Sequence, residues 1–252
     1  SDSTAPTNPD DTAAPSTETD VSQPTDAPAR PLPEGGKSVS VAQELGLDVD
    51  FGERCDMETG RVKVQTFFAT ECFAPFEGDN GGATARGVTA DTITIVQWVS
   101  QDTDPILDFI TSAISNDDTN AQSEETLRKM IEYYETYYET YGRKVELIVI
   151  EGSGVVTDEA AARADAVRID EEFDPFMVWG GPVLTNAFAE ELAARGIPCF
   201  DCGPGQTREW YTDNAGLAYT VGKGPDQLDL LVAEYIGKRL AGDPAIHAGD
   251  ES

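Results

Sequence analysis

The sequence predicts an α/β fold in which helices cover both faces of a doubly wound parallel sheet. From Gly87 onward, short apolar segments rich in β-branched residues alternate with longer segments of helical periodicity. The apolar segments are nearly continuous rather than alternating, which is typical of strands buried on both faces. Most of them end in a loop rich in Gly, Ser, Thr and Asp. These features together favour a parallel sheet of the α/β class.

The first part of this pattern contains two strands and two helices. The β-branched segment 92–99 predicts the first strand, and residues 122–141 predict a helix of strong helix formers that breaks at a glycine. Residues 145–150 predict the second strand. An alanine-rich helix follows from Asp158, whose side chain suits an N-cap, to about residue 172.

The second part repeats the alternation. Residues 176–179 predict a third strand, and residues 184–195 a helix that ends before a glycine. Residues 197–200 predict a fourth strand, and residues 217–221 a fifth. The last helix is expected at 225–242, with a proline near its start and apolar residues at helical spacing.

The chain divides by composition into three parts. Residues 1–37 contain almost only Ser, Thr, Ala, Pro, Asp and Glu, so we expect a disordered linker that cannot bury enough apolar surface to fold. Residues 38–86 form a small appendage that ends in a glycine-rich segment, 78–83, with the composition of a flexible hinge. Residues 87–252 form the α/β lobe.

The strongly acidic charge excludes some partners. The net charge is -30, with 47 acidic residues against 17 Lys plus Arg. A nucleic-acid backbone would be repelled, and so would an anionic bilayer surface. Such acidity more often serves solubility than a specific function, and a salty or extracellular setting tolerates it.

The four cysteines fall into two local pairs, Cys55 with Cys72 and Cys199 with Cys202. The sole histidine, His247, lies near the C-terminus, so no common Cys/His zinc set is available and we expect no metal. Two disulfides are favoured over a metal site. The first pair would staple the appendage, and the sequence does not decide whether the second pair is bonded. Disulfides indicate an oxidising compartment outside the cytoplasm.

Known catalytic motifs are not found in the sequence. The Gly-Ser-Gly at 152–154 lacks the continuation of a nucleotide loop, and no GxSxG nucleophile elbow occurs. Residues 199–202 have CxxC spacing, but the first cysteine lies in a predicted strand rather than at a helix N-terminus, which favours a structural pair. We therefore expect neither enzymatic activity nor a cofactor.

Two further clusters allow alternative interpretations. Tyrosines recur along the predicted helix 122–141 and could form an aromatic ligand platform, although packing on the sheet explains them as well. Paired aspartates at 102 and 104, and at 117 and 118, could bind calcium, but no EF-hand surrounds them and solvated loop acids are favoured.

Several segments resemble type I periplasmic binding proteins, the group of leucine/isoleucine/valine- and amide-binding lipoproteins of ABC importers. Gly-Val-Thr-Ala-Asp-Thr-Ile-Thr-Ile at 87–95 resembles the opening strand of that family. Trp-Gly-Gly-Pro-Val-Leu-Thr-Asn-Ala at 179–187, and Gly-Ile-Pro at 196–198 followed by Cys-Gly-Pro-Gly at 202–205, are similar to its ligand loops. Residues 235–242 resemble the helix before its second lobe.

The resemblance implies two Rossmann-like lobes that close on a small solute, commonly an amino acid or an amide. Ligands of such sheets lie at the loops after the strands, here 100–105, 152–158, 180–186 and 202–207. Carried over residue by residue, the family pattern implies these ligand-binding residues: Thr185, Asn186, Gly203, Pro204, Gly205, Gln206 and, less directly, Ser100.

The resemblance also implies partners and a location. We expect an extracytoplasmic solute-binding lipoprotein whose partners are the solute and a membrane ABC permease, with membrane contact only through a lipid anchor ahead of Ser1. A removed export signal and a second lobe beyond Ser252 are expected with it. A sensory domain of the same fold, a cell-wall interaction protein, and a secreted enzyme with its catalytic residues elsewhere remain alternatives.

Overall fold

The structure is a computed structural model that describes residues 36–64, 66–114 and 118–242. Nearly all of the predicted linker, together with Asp117 and His247, lies outside the described residues. Helices and strands are numbered below in chain order. In the described part, no helix has both the length and the apolar character needed to cross a membrane.

The lobe is built on a five-stranded sheet in which every neighbouring pair is parallel. The appendage contributes the first two strands of the chain, β1 (Cys55–Asp56) and β2 (Arg61–Val62), which pair with each other. The lobe strands, in spatial order β4-β3-β5-β6-β7, are β3 (Thr92–Val99), β4 (Lys144–Glu151), β5 (Met177–Trp179), β6 (Cys199–Phe200) and β7 (Ala218–Tyr219). The predicted doubly wound α/β fold is confirmed.

The helices connect these strands. They are α1 (Val39–Leu45), α2 (Pro105–Thr111), α3 (Asn120–Glu135), α4 (Glu159–Phe173), α5 (Ala187–Ala194), α6 (Arg208–Asp213) and α7 (Pro225–Tyr235), which continues as one π-helical segment, Ile236–Leu240. Helices α2 and α6 were not predicted, because seven and six residues are too few to display a helical period.

The third helix differs from its prediction in length. It ends at Glu135 rather than near residue 141, and its C-cap is Thr136. The segment beyond it is rich in Thr and Tyr, whose helix propensities are low. Tyr141 then has a positive φ of 56°, which is incompatible with a continuing helix. The tyrosines at 137 and 138 therefore lie in a turn, called here the tyrosine turn (136–141).

The main core lies between one sheet face and the helices α4 and α5. Its fully buried side chains include Val96 and Val178 of the sheet, Ile169 of α4, and Phe188 and Leu192 of α5. Asp158 caps α4 as predicted, since its Oδ1 accepts hydrogen bonds from the amides of Ala160 and Ala161 at 3.0 Å. This side of the lobe has the continuous apolar packing that the sequence pattern predicts.

The opposite sheet face is covered less completely. Leu127 of α3 and Leu147 of β4 are buried there, but Trp179 and Tyr219, which point to the same face by strand register, are 37% and 51% exposed. The apolar side chains of α7 are also exposed, with Tyr235 at 60%. The amphipathic pattern of α7 correctly predicted a helix but not a buried face.

The appendage has its own small core, closed by the Cys55–Cys72 disulfide. Val39 of α1 and Val62 of β2 pack beside this bridge. The antiparallel pairing of β1 with β2 agrees with the hairpin expected between the two cysteines. Helix α1 begins at Ser38, whose hydroxyl accepts the amide of Val41, and ends at Gly46 in the left-handed conformation.

The segment 78–83 is anchored rather than free, which corrects the expectation of a flexible hinge. Buried Arg143, next to the start of β4, donates from Nη2 to the carbonyls of Asn80 and Gly82 at 2.8 and 3.0 Å. Its Nε donates to the carbonyl of Thr89 at 2.8 Å. Composition did not reveal this contact, because the partners are 54 to 63 residues apart in sequence.

We predict that Arg143→Ala will lower the free energy of unfolding by about 2–4 kcal/mol, because three backbone carbonyls lose the charged donor that Arg143 supplies from a buried position. Urea denaturation followed by circular dichroism measures this. The matched control is Arg168→Ala, whose side chain is 41% exposed and pairs with Glu172 on the same helix. An equal, small effect of both substitutions would contradict the anchoring role.

A second prediction concerns Asp170 of α4, which is bonded by Arg86 and Arg195. These two charged hydrogen bonds hold the pKa of the Asp170 carboxyl below its ordinary value of 3.8. A carboxyl with a lowered folded-state pKa contributes stability at neutral pH that is lost as the pH falls through that lowered value. Asp170→Asn should therefore destabilise the protein at pH 7, and the difference from wild type should shrink below about pH 4. A pH-independent difference would contradict it.

Candidate functional site

The strand order places a topological switch point at the carboxyl ends of β3 and β5. The chain passes from β3 to β4 on one side and then returns across β3 to form β5 on the other. The two following loops leave in opposite directions at this switch point, and open α/β sheets bind their ligands there. The loops after β3 and β5 are 100–104 and 180–186, which are two of the four predicted ligand loops.

A buried carboxylate at Asp104 joins the loop after β3 to the loop after β4. Its Oδ1 accepts the amides of Ile106 and Leu107 at 2.8 and 3.3 Å, and so caps α2. Its Oδ2 accepts the amide of Val156 at 2.8 Å. Asp104 is only 1% exposed, so the interpretation of this residue as a solvated loop acid was wrong. The Asp-Pro pair at 104–105, an N-cap followed by proline at N1, is the sequence signal that could have found it.

Asp165 on α4 makes a second link of the same kind. Its Oδ2 accepts the indole Nε1–H of Trp98 and the amide of Ser153, both at 3.0 Å. Asp165 is 2% exposed and Trp98 is 5% exposed. Gln101 adds a bond from Nε2 to the carbonyl of Gly152 at 2.9 Å. The loops after β3 and β4 are thus fixed to each other and to the core.

The loops after β5 and β6 approach closely at two glycines. A Cβ on Gly181 would lie 2.8 Å from the carbonyl oxygen of Cys202, and a Cβ on Gly205 would lie 2.7 Å from Asn186 Oδ1. A larger residue at position 181 would press on the backbone of Cys202, whereas one at position 205 would require the Asn186 side chain to shift. The structure bonds Cys199 to Cys202, which closes the start of the β6 loop and answers the question that the sequence left open.

The structure brings most of the predicted site residues into this pair of loops. Thr185 is buried, and its Oγ1 accepts the amide of Ala187 at 3.1 Å. Asn186 sits at the N-cap of α5 but makes no capping bond with its side chain. Gly203 is buried with its carbonyl bonded to the hydroxyl of Tyr211 at 3.0 Å, and Pro204 and Gly205 are exposed.

Gln206 is distinct among these residues because its amide is buried without a partner. The residue is 6% exposed, and Nε2 has no acceptor among the described residues. An unpaired buried donor costs about 1–3 kcal/mol. Gln206 therefore lowers the stability of the folded protein at this position. The sequence identified this residue through the family resemblance alone.

Ser100 directly follows β3, and its backbone carbonyl takes part in a bond between two elements. Its carbonyl accepts a bond from Asn120 Nδ2 at 2.7 Å, which fixes the start of α3. Asp102 supports the same helix start by accepting the amide of Asn120 at 3.0 Å. Across 36–64, 66–114 and 118–242, no three acidic, Cys or His side chains are grouped to hold a metal.

We predict that Asp104→Ala will cost about 2–4 kcal/mol of stability, since it removes an N-cap and leaves the buried amide of Val156 unpaired. Asp104→Asn should cost less, because one side-chain oxygen remains. The control is Asp102→Ala, an exposed residue with a single bond to α3. Chemical denaturation compares the three variants, and equal costs at 102 and 104 would contradict the buried link.

Comparisons with known proteins give similar structures but no sequence family. No family model matches the sequence, and no curated protein matches it. An ABC transporter substrate-binding protein from Desulfitobacterium hafniense is similar at 14% identity and a TM-score of 0.40, over 58% of this chain and 39% of that one.

Two further solved structures are similar at a TM-score of 0.40. One is the branched-chain amino acid transporter substrate-binding protein LivJ from Streptococcus pneumoniae in complex with isoleucine, with 12% identity over 59% of this chain and 39% of that one. The other is a solute-binding protein of an ABC transporter from Rhodopseudomonas palustris BisB5 in complex with 3,4-dihydroxybenzoic acid, with 14% identity over 59% and 36%. The chain spans less than two fifths of the length of each of these structures.

Proposed function

We propose that the chain is the first ligand-binding lobe of an extracytoplasmic solute-binding protein, which delivers a small polar solute to an ABC-type permease. The observation that carries the proposal is the set of polar loops at the carboxyl edge of the sheet, of which the loops after β3 and β4 are held to each other and to the core by the buried carboxylates of Asp104 and Asp165. Rigidly held loops at this edge are suited to recognising a ligand, because they lose little conformational entropy when the ligand binds.

The chemistry of the loops favours a solute with a carboxylate or an amide oxygen. Helix α5 follows β5 with Asn186 as its N-cap, so the positive end of the helix dipole lies at the carboxyl edge of the sheet, where the first amide, that of Ala187, is already bonded to Thr185. Gln206 supplies a buried amide donor without an acceptor among the described residues. An amino acid or a small amide would provide acceptors for both groups.

The same loops suit closure by a second lobe. Val183 and Leu184 of the β5 loop are each 49% exposed, and Pro204 and Gly205 of the β6 loop are also exposed. A single sheet edge covers only one side of a ligand, whereas small-molecule sites usually bury most of the ligand surface. We therefore place the complete cleft between this lobe and a second lobe beyond Ser252.

The N-terminal residues suit a tether in this proposal. Residues 1–37 have the composition of a solvated linker, and as a flexible coil they would span about 35 Å. Anchored through a lipid ahead of Ser1, the linker would let the lobes reach a permease in the membrane. No chemistry on the solute is proposed, and the role is transport.

We predict that the full-length protein carrying this chain will be stabilised by its solute, by about 2.7 kcal/mol at a concentration one hundred times the dissociation constant. Thermal unfolding in the presence of amino acids, small amides and urea measures the effect. No shift with any of these compounds would overturn the proposed solute class.

Gln206→Leu tests the site directly. It should abolish the solute-dependent shift while leaving the ligand-free protein as stable as wild type or more so, because it removes an unpaired buried donor. The comparison variant is Gln101→Leu, which loses a hydrogen bond to Gly152 and should cost about 1 kcal/mol. A solute response that survives Gln206→Leu would remove this residue from the site.

A further inference from the structure

We propose that the chain carries a second binding site, for a small organic ammonium group, between the appendage and the tyrosine turn. A cavity of about 310 Å³ lies there, called here the aromatic cavity. Four of its lining side chains are aromatic: Phe51, Phe73, Tyr137 and Tyr138. Neither the solute-binding role nor the family resemblance accounts for this cavity.

The aromatic cavity lies at the opposite end of the lobe from the proposed solute loops. Helix α3 starts beside the carboxyl end of β3, where Asn120 bonds the carbonyl of Ser100. It ends at the amino end of β4, where Glu135 Oε1 accepts the amide of Val145 at 2.8 Å. The tyrosine turn follows that end, so the helix length separates the two sites.

The lining has the composition that attracts organic cations. Aromatic faces bind ammonium and guanidinium groups, and cages of several rings recognise quaternary ammonium ligands. Three glutamates (Glu53, Glu135 and Glu139) but only one basic residue, Arg54, also line the cavity. Lys144 offsets one of these carboxylates by pairing with Glu135, which leaves a smaller negative local charge, and the overall charge of -30 further raises the concentration of cations near the surface.

Two of the carboxylates are held in place before any ligand binds. Glu139 accepts the amide of Phe76 with Oε2 and the amide of Gly142 with Oε1, both at 3.0 Å. Glu135 is bonded by Val145, and its Oε2 lies 3.0 Å from Lys144 Nζ. Fixed negative groups attract a cation without losing side-chain freedom when it binds.

Arg54 demonstrates that this surface accepts a cation. Its guanidinium carbon lies 5.2 Å from the centroid of the Tyr137 ring, within the range of a cation–π contact. Its Nη1 donates to the carbonyl of Thr136, which tethers it to the tyrosine turn. An external ammonium group would share the cavity with this internal cation, so Arg54 weakens binding by charge repulsion.

Titration of the full chain with choline, followed by tyrosine fluorescence and by NMR, tests the proposal. The neutral isostere 3,3-dimethyl-1-butanol has the same shape without the charge and should bind at least about tenfold more weakly. Equal affinity for both compounds would mean that the positive charge contributes nothing to binding, which contradicts an ammonium site. Absence of saturable choline binding would also overturn the proposal.

Two variants test where choline binds, and they should change its affinity in opposite directions. Tyr137→Leu should weaken choline binding several-fold, whereas Arg54→Gln should strengthen it by removing the competing charge. Tyr219→Leu is the matched control, since this tyrosine is 51% exposed on β7 and outside the cavity lining. Choline binding that is lost in Tyr219→Leu but kept in Tyr137→Leu would contradict the assigned place.

Gln206→Leu separates this proposal from the proposed solute site. Choline binding should be unchanged in that variant, because the β6 loop takes no part in the aromatic cavity. Circular dichroism and thermal unfolding of each variant show that the fold is retained. If Tyr137→Leu fails to fold, the increase expected for Arg54→Gln still decides the question, because Arg54 is an exposed side chain.

Discussion

The hydrogen bond between Trp98 and Asp165 joins the core of the lobe to its candidate binding edge. The indole ring of Trp98 packs in the core near Phe188, with ring centroids 5.9 Å apart. Its Nε1–H reaches Asp165, and the same carboxylate oxygen holds the amide of Ser153 in the loop after β4. A buried carboxylate must have its acceptors filled, so neither the ring nor the loop can move independently. The position of the loop after β4 therefore depends on a contact inside the core.

Three arginines of this acidic chain join segments that are distant in sequence. Arg86 and Arg195 bond Asp170 and so connect the entrance of the lobe, α4 and the end of α5. Arg143 connects the segment 78–83 to the start of β4. With 47 acidic residues against 17 basic ones, repulsion acts over most of the surface. Guanidinium groups placed between segments offset that repulsion where the chain must hold together.

The two ends of the lobe differ in chemistry. The carboxyl edge of the sheet has glycine-rich loops, backbone amides and uncharged polar side chains, which suit hydrogen bonding to a small polar solute. The amino edge has the appendage, the tyrosine turn and a cavity of aromatic rings and glutamates. The Cys55–Cys72 disulfide closes the appendage, and Arg143 ties the segment after it to the lobe, so the amino-edge cavity has fixed walls on both sides.

The sequence by itself determined the strands, the class of fold and the cap of α4, because these depend on local periodicity and on short-range hydrogen bonds. The segment 92–99 was predicted with its observed bounds, and Asp158 caps α4 as its side chain suggested. Tertiary structure decided the order of the strands and the burial of Asp104. It also decided that Arg143 anchors a glycine-rich segment and that Gln206 has a buried, unpaired amide. These outcomes rest on partners distant in the chain, whose free energy overrides local propensity and leaves no periodic signal in the sequence.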